Sequence, residues 1–262
     1  MKTRLLALAA LAAVLVVPSA DARSRGPGMM MRPSANPSAL IATEIAFARL
    51  AQEKGQWTAF AETAAEGAEM FVPRRVPAAE WLKKRANPAH AVAWQAHAAW
   101  VSCDGATGVT RGAWQDGGDG AGRTGWFATV WQRQAKGGFK WLLDQGDDVA
   151  TPIPAPDFLE GKVADCPARP GMEDDSLQSS DQRRSDARKA DAPPPPRPLA
   201  GPIPPADATV GGDSKDGRSA DGTLAWRSTV LSDGARDFTV WLWKDGAMAE
   251  VLKLHANAAK GG

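Results

Sequence analysis

The apolar positions between Ser38 and Asp147 change period partway along the chain. Ile41, Ile45, Ala48 and Ala51 recur at helical spacing, which predicts a helix with one buried face. It starts at Asn36 or Ser38 with Pro37 in its first turn, and Lys54-Gly55 ends it. A second short helix is predicted over 56–64, carrying Trp57 and Phe60. A strand over 68–72 stops at Pro73, and a helical turn over 78–85 offers Trp81 and Leu82 for packing. From His90 the period becomes two. Strands are predicted over 90–102, 108–115, 123–134 and 138–145, the last two joined by a hairpin across Ala135-Lys136-Gly137. Both parities of Trp126 to Trp131 are apolar, so that strand is covered on both faces. Helices cover one face, and another layer or subunit covers the other. The fold class expected is α+β: a cone-shaped, curved antiparallel sheet packed on helices and enclosing one pocket.

Beyond the sheet the pattern lapses. Residues 148–222 read as an extended or disordered linker, rich in charge, Ser and Pro, with a polyproline tract at 193–198 that serves as a spacer or as a recognition segment. Order is expected again over 223–256, where three strands (223–231, 236–244 and 247–255) form a β meander. Its turns are Ser232-Asp233-Gly234 and Lys244-Asp245-Gly246. Thr239-Val240-Trp241 echoes Thr129-Val130-Trp131, a similarity short enough for strand chemistry alone to produce. A lone three-stranded meander is marginal, so it is expected to dock on the cone.

The N-terminus changes the setting. Lys2 and Arg4 precede an apolar run, Leu5 to Val17, followed by Pro18 and the small-x-small pattern Ala20-Asp21-Ala22. This reads as a signal peptide over 1–22 cleaved after Ala22, with a flexible lead-in over 23–37. The run is shorter than the ~20 residues of a spanning helix, so an uncleaved anchor is the lesser reading. A periplasmic or secreted protein with no membrane span after leader removal follows. The formal charge of +1 supplies no basic face for nucleic acid. In an oxidising compartment Cys103 and Cys166 are candidates for a disulfide, or remain two unpaired thiols. Without clustered histidines they make no metal site. No cofactor motif stands out: Gly117 to Gly122 is Gly-rich but lies between strands and opens no helix.

Several motifs carry a resemblance. Glu44-Ile45-Ala46-Phe47-Ala48, Ala68-Glu69-Met70-Phe71-Val72-Pro73, Ala93-Trp94-Gln95, Gly112-Ala113-Trp114 and Thr129-Val130-Trp131-Gln132-Arg133-Gln134 through Leu143-Asp144 are their residues. Over residues 38–147 the chain resembles an exported family of unknown function within the SnoaL-like, or nuclear transport factor 2-like, superfamily. The resemblance implies a helix-and-sheet cone with a pocket. That superfamily holds ketosteroid isomerases, polyketide cyclases, dehydratases and pockets of no known chemistry, so it implies no one reaction. Relatives often carry an acidic pair where this chain has Glu66-Gly67, and Gly-Asp-Leu-Gly-Tyr where it has Gly105-Ala106-Thr107-Gly108-Val109. The chain has no tyrosine to stabilise an oxyanion.

Proton transfer in an apolar cone needs a carboxylate or imidazole tuned by burial. Glu44 is a candidate on the first helix, against the plainer reading of a solvated helix residue. Asp144 is a second, against an acid that caps a strand end. His97 is a third, although its parity opposes Trp94 and Trp100 and turns it toward the outer face. Phe47, Phe60 and Trp94 are expected as pocket walls, and Arg111 as a binder of an anionic group or a surface cation. The expected function is an exported, non-catalytic pocket for a small, largely apolar molecule, homodimeric through the outer sheet face. The alternatives are an acid–base isomerase, dehydratase or cyclase, and a cell-envelope interaction module using the Pro- and Arg-rich arm.

Overall fold

The computed structural model describes residues 34–118, 122–166, 201–206 and 212–258. The leader, most of the lead-in and the polyproline tract lie outside the described residues.

Helix α1 spans Pro37–Lys54, and the Asn36 side chain accepts from the Ala39 N–H at 3.0 Å, satisfying one of the free first-turn donors. Its buried stripe is Leu40, Ile41, Glu44, Phe47 and Ala51. Ile45, expected in the core, is 52% exposed. The helix is rotated so that the carboxylate takes the inward position. Helix α2 (Gln56–Thr63) follows, then strand β1 (Ala64–Phe71), β2 (Arg75–Pro77) and the short helix α3 (Ala78–Leu82). The main sheet continues with β3 (Ala93–Val101), β4 (Thr107–Gln115), β5 (Thr124–Arg133), β6 (Phe139–Val149) and β7 (Glu160–Val163).

This curved sheet runs in the order β2-β1-β6-β5-β4-β3-β7. It is mixed where an antiparallel sheet was expected: β1 runs parallel to β6, and β7 parallel to β3. In both pairs long stretches of chain separate the partners, and such crossovers allow parallel pairing. The stretch read as a linker thus supplies β7 on one edge. It also supplies β8 (Gly212–Arg218), which pairs with β9 (Leu224–Leu231). With β10 (Arg236–Lys244) and β11 (Ala247–Ala256), the second sheet has four strands, where three were expected, in the order β11-β10-β9-β8. The exposed, polar sequence of β8 carries no period-two apolar signal; backbone pairing to β9 recruits it, with ion pairs from Asp213 to Arg75, Lys215 to Glu69 and Asp216 to Arg227.

The helices cover one face of the main sheet, with Leu40, Phe47, Phe60, Trp131 and Trp141 in a common core. The other face forms a second core with the second sheet, in which Trp100, Val109, Val130 and Leu143 meet Trp226, Phe238, Val240 and Leu242. Strand β5 is accordingly buried on both sides. The face expected to pair with a second copy of the chain is occupied by the chain's own C-terminal sheet. Among the described residues no helix is long and apolar enough to cross a membrane.

Cys103, just past β3, is disulfide-bonded to Cys166, just past β7, across a sequence separation of 63. Cross-linking a loop of this length removes chain entropy from the unfolded state. Replacing either cysteine by serine is expected to lower unfolding stability by about 2–4 kcal/mol in a denaturant titration, with little change in far-UV circular dichroism.

Candidate functional site

Glu44 sits at the centre of the helix–sheet interface and is 1% exposed. Three side chains donate to its carboxyl: Trp94 Nε1 to Oε1 at 2.8 Å, Thr110 Oγ1 to Oε2 at 2.5 Å and Trp131 Nε1 to Oε2 at 3.0 Å. These donors come from β3, β4 and β5, so one carboxylate ties α1 to three strands. Gly108 lets the helix approach: a side chain there would run into Leu40. Burial raises the Glu44 pKa above the usual carboxylate value, and the three hydrogen bonds oppose that rise.

Asp144 lies in mid-strand on β6, opposite Thr129, not at a strand end. Thr129 Oγ1 donates to its Oδ2 at 2.8 Å. Burial pushes its pKa up to about 7, the Thr129 bond lowers it, and the charge of Glu44 raises it further. Glu44 is saturated with donors, whereas Asp144 has one and forms part of a cavity wall.

The cavity holds about 410 Å³. Phe47, Trp57, Phe60, Trp94, Trp114 and Phe127 supply aromatic wall. Phe47 meets Phe60 and Trp94 at centroid distances of 4.8 and 4.9 Å, which fixes the rings against one another. Polar groups gather elsewhere on the lining: Gln56, Asp116, Arg123, Asp147, Asp148 and Arg236. Arg123 pairs with Asp148 at 3.0 Å, both well exposed. The result is a small-molecule-sized space, aromatic over one part of its wall and polar over another, with Asp144 the buried acid among its carboxylates.

Phe47, Phe60, Trp94 and Asp144 all line this cavity, and Glu44 stands behind Trp94. Arg111 and His97 do not join them. Arg111 pairs with Ala128, whose side chain belongs to the outer core, so Arg111 shares that face. His97 occupies the bulge in β3 and lines a different cleft with Gln95, Gln115 and Ile153. Burial lowers its pKa, and the nearby Arg111 charge lowers it further. Thr110, Thr129 and Trp131, which hold the two carboxyls, were not singled out in the sequence. The Thr-x-Trp on β5 was the only signal for Thr129 and Trp131, it does not say which face they take, and Thr110 on β4 had none. Among the described residues no group of His, Cys, Asp and Glu is placed to hold a metal ion.

No protein-family profile matches the chain, and no curated protein matches it. Two solved structures are similar to part of it. One, from Novosphingobium aromaticivorans, is described as a proposed aromatic ring hydroxylase; it is 20% identical over 44% of this chain and 90% of its own, with a TM-score of 0.34. The other, from Parabacteroides distasonis ATCC 8503, is described as a proposed ketosteroid isomerase; it is 12% identical over 45% of this chain and 97% of its own, with a TM-score of 0.36. Likeness at this level says nothing of what this chain binds.

Glu44→Ala is expected to destabilise the fold by about 3–5 kcal/mol, because it strands buried donors as well as opening a void. Glu44→Gln should cost less, since one amide oxygen still accepts; chemical denaturation separates the two. For Asp144 the sign follows from its raised pKa. Below the usual value of 3.8 both folded and unfolded states hold the proton, and above it the unfolded chain releases the proton first. Stability is therefore lost as pH rises from about 4 to about 7. Asp144→Asn should remove Asp144's part of that loss and be more stable than the parent at pH 8, by about 1–3 kcal/mol after allowing for the cavity's water.

Proposed function

We propose that the protein binds a small, largely apolar molecule against the aromatic wall of the cavity, and that Asp144 is the buried acid it meets there. The observation that carries this is the placement of a buried carboxyl with one hydrogen-bond donor beside the aromatic part of the cavity wall. A ligand with an amine or hydroxyl donor on an aromatic or alicyclic body suits such a space, since burying its rings drives binding and the carboxylate orients it. The resemblance to the SnoaL-like superfamily is in keeping with such a pocket. Export to the periplasm or beyond, read from the leader, belongs to the same proposal.

One observation favours a second reading, acid–base catalysis: an acid with a pKa of about 7 can both give and take a proton near neutral pH. Such a reaction also needs donors aimed at the charge that develops on the substrate. The indole N–H groups of Trp94 and Trp114, which line the cavity, are spent on Glu44 and on the Trp126 carbonyl. Gln145 Nε2 and Arg236 Nη1, buried on the cavity lining without a hydrogen-bond partner, are the donors left for that role.

N-phenyl-1-naphthylamine, neutral and apolar with one N–H, is a suitable fluorescent probe. It should bind with micromolar affinity, more tightly as pH rises through about 7, because ionised Asp144 then accepts its N–H. Asp144→Asn should flatten that pH dependence. Val72→Trp, which fills the cavity from a half-buried wall position, should abolish binding without lowering the melting temperature. Binding that survives Val72→Trp would place the probe elsewhere and sink the proposal.

A further inference from the structure

The second sheet repeats β3 to β6 of the main sheet strand for strand. Ser102-Cys103-Asp104-Gly105 and Ser219-Ala220-Asp221-Gly222 close the first hairpin of each set. In both, the serine hydroxyl bonds the aspartate Oδ1 and accepts from the N–H five residues on, and the glycine takes a positive φ of 63° or 74°. The strand registers coincide. Trp100 pairs with Val109, and Gly217 with Trp226. Val109 pairs with Val130, and Trp226 with Val240. The Thr-Val-Trp echo falls at matching positions, and both last hairpins carry a bulge at the same step, between Val130 and Trp131 and between Val240 and Trp241. Strand chemistry alone does not reproduce a turn, two registers and a bulge together.

The two sets face each other as two subunits would. Asp104 N donates to Asp221 Oδ2 at 2.7 Å, and Asp221 N returns a bond to Asp104 Oδ2 at 3.2 Å. This is the reciprocal contact of a two-fold interface. Equivalent side chains then share one core: Val109 with Trp226, Ala128 with Phe238, and Val130 with Val240.

The repeat is incomplete. Among the described residues no helix covers the far face of the second sheet, Glu250 stands at the position of Trp141, and Lys253 stands at that of Asp144. Its far face carries the pairs Arg227–Asp216 and His255–Asp237. Among the described residues it has neither the acid nor the helical roof of a second pocket. It does contribute to the first: Arg236 on β10 donates to the Gly146 carbonyl at 2.9 Å, stacks on Phe71 and lines the cavity.

We propose that the C-terminal sheet is a degenerate second copy of the main sheet serving as a built-in partner subunit, so that one chain is a pseudo-dimer with a single pocket. Covalent connection raises the local concentration of the second copy to the order of millimolar, above that of any free chain. It therefore outcompetes a second molecule for the outer face. The test uses the full chain with a protease site inserted after Ser180, its disulfide intact, followed by native mass spectrometry and sedimentation equilibrium. The uncut chain should have the mass of one chain across the micromolar range, and after cleavage the two fragments should remain a one-to-one complex. A stable dimer of the uncut chain, or separation of the cut fragments, would overturn the proposal. Neither result depends on whether the cavity binds anything.

Discussion

Glu44 is removed from water at the contact between α1 and the main sheet, and the rest of the structure is arranged around that fact. A buried carboxyl costs several kcal/mol unless hydrogen bonds replace its hydration. Here Trp94, Thr110 and Trp131 replace it, each from a different strand. Their donors meet at one point only if α1 lies close on β4, which Gly108 permits, and only if the sheet curves around the helix. The bond network therefore fixes the helix rotation, turns Ile45 outward and sets Phe47 into the cavity wall.

The same carboxyl shapes the chemistry of the pocket. Asp144 feels Glu44 through a medium poor in water, and the two share the difficulty of ionising together. Glu44 has the hydrogen bonds that favour its charged form, and Asp144 has only Thr129. Burial raises both, and Asp144, with fewer hydrogen bonds to offset it, is the one that can reach a ligand. Seven aromatic residues line one part of the wall, so a guest there gains from ring burial beside the buried acid.

The other face of the sheet poses a different problem, an apolar surface on strands already roofed by helices. The second sheet solves it with matching strands, and in doing so commits that surface within the chain. Arg236 links the two solutions: it belongs to the covering sheet yet borders the pocket under the helices. The disulfide past β3 and β7 lies at the other end of the covering sheet, where the Cys103 N–H donates to Thr223 at 2.9 Å.

Much of this was legible from residue order. The period of 3.6 over 38–54, the alternation from His90 onward and the turn residues at Gly137 and Asp245-Gly246 depend on local backbone geometry, which neighbouring residues settle. The double-sided apolar strand at Trp126–Trp131 announced two covering layers, and Phe47, Phe60 and Trp94 announced an aromatic wall. Four features were decided by the tertiary structure alone. The inward turn of Glu44 rests on donors fifty or more residues away, and no local pattern separates a buried glutamate from a solvated one. The parallel pairing of β1 and β7 rests on crossovers that periodicity does not encode. Strand β8 is too polar to signal itself and forms because β9 offers a pairing edge. Parity turned His97 outward already in the sequence, whereas Asp144 and Arg111 carried no such mark, and only the sheet's two faces separate the one inside the pocket from the one outside it. Local sequence sets the elements, but the burial of charge is settled only when distant strands bring their donors to it.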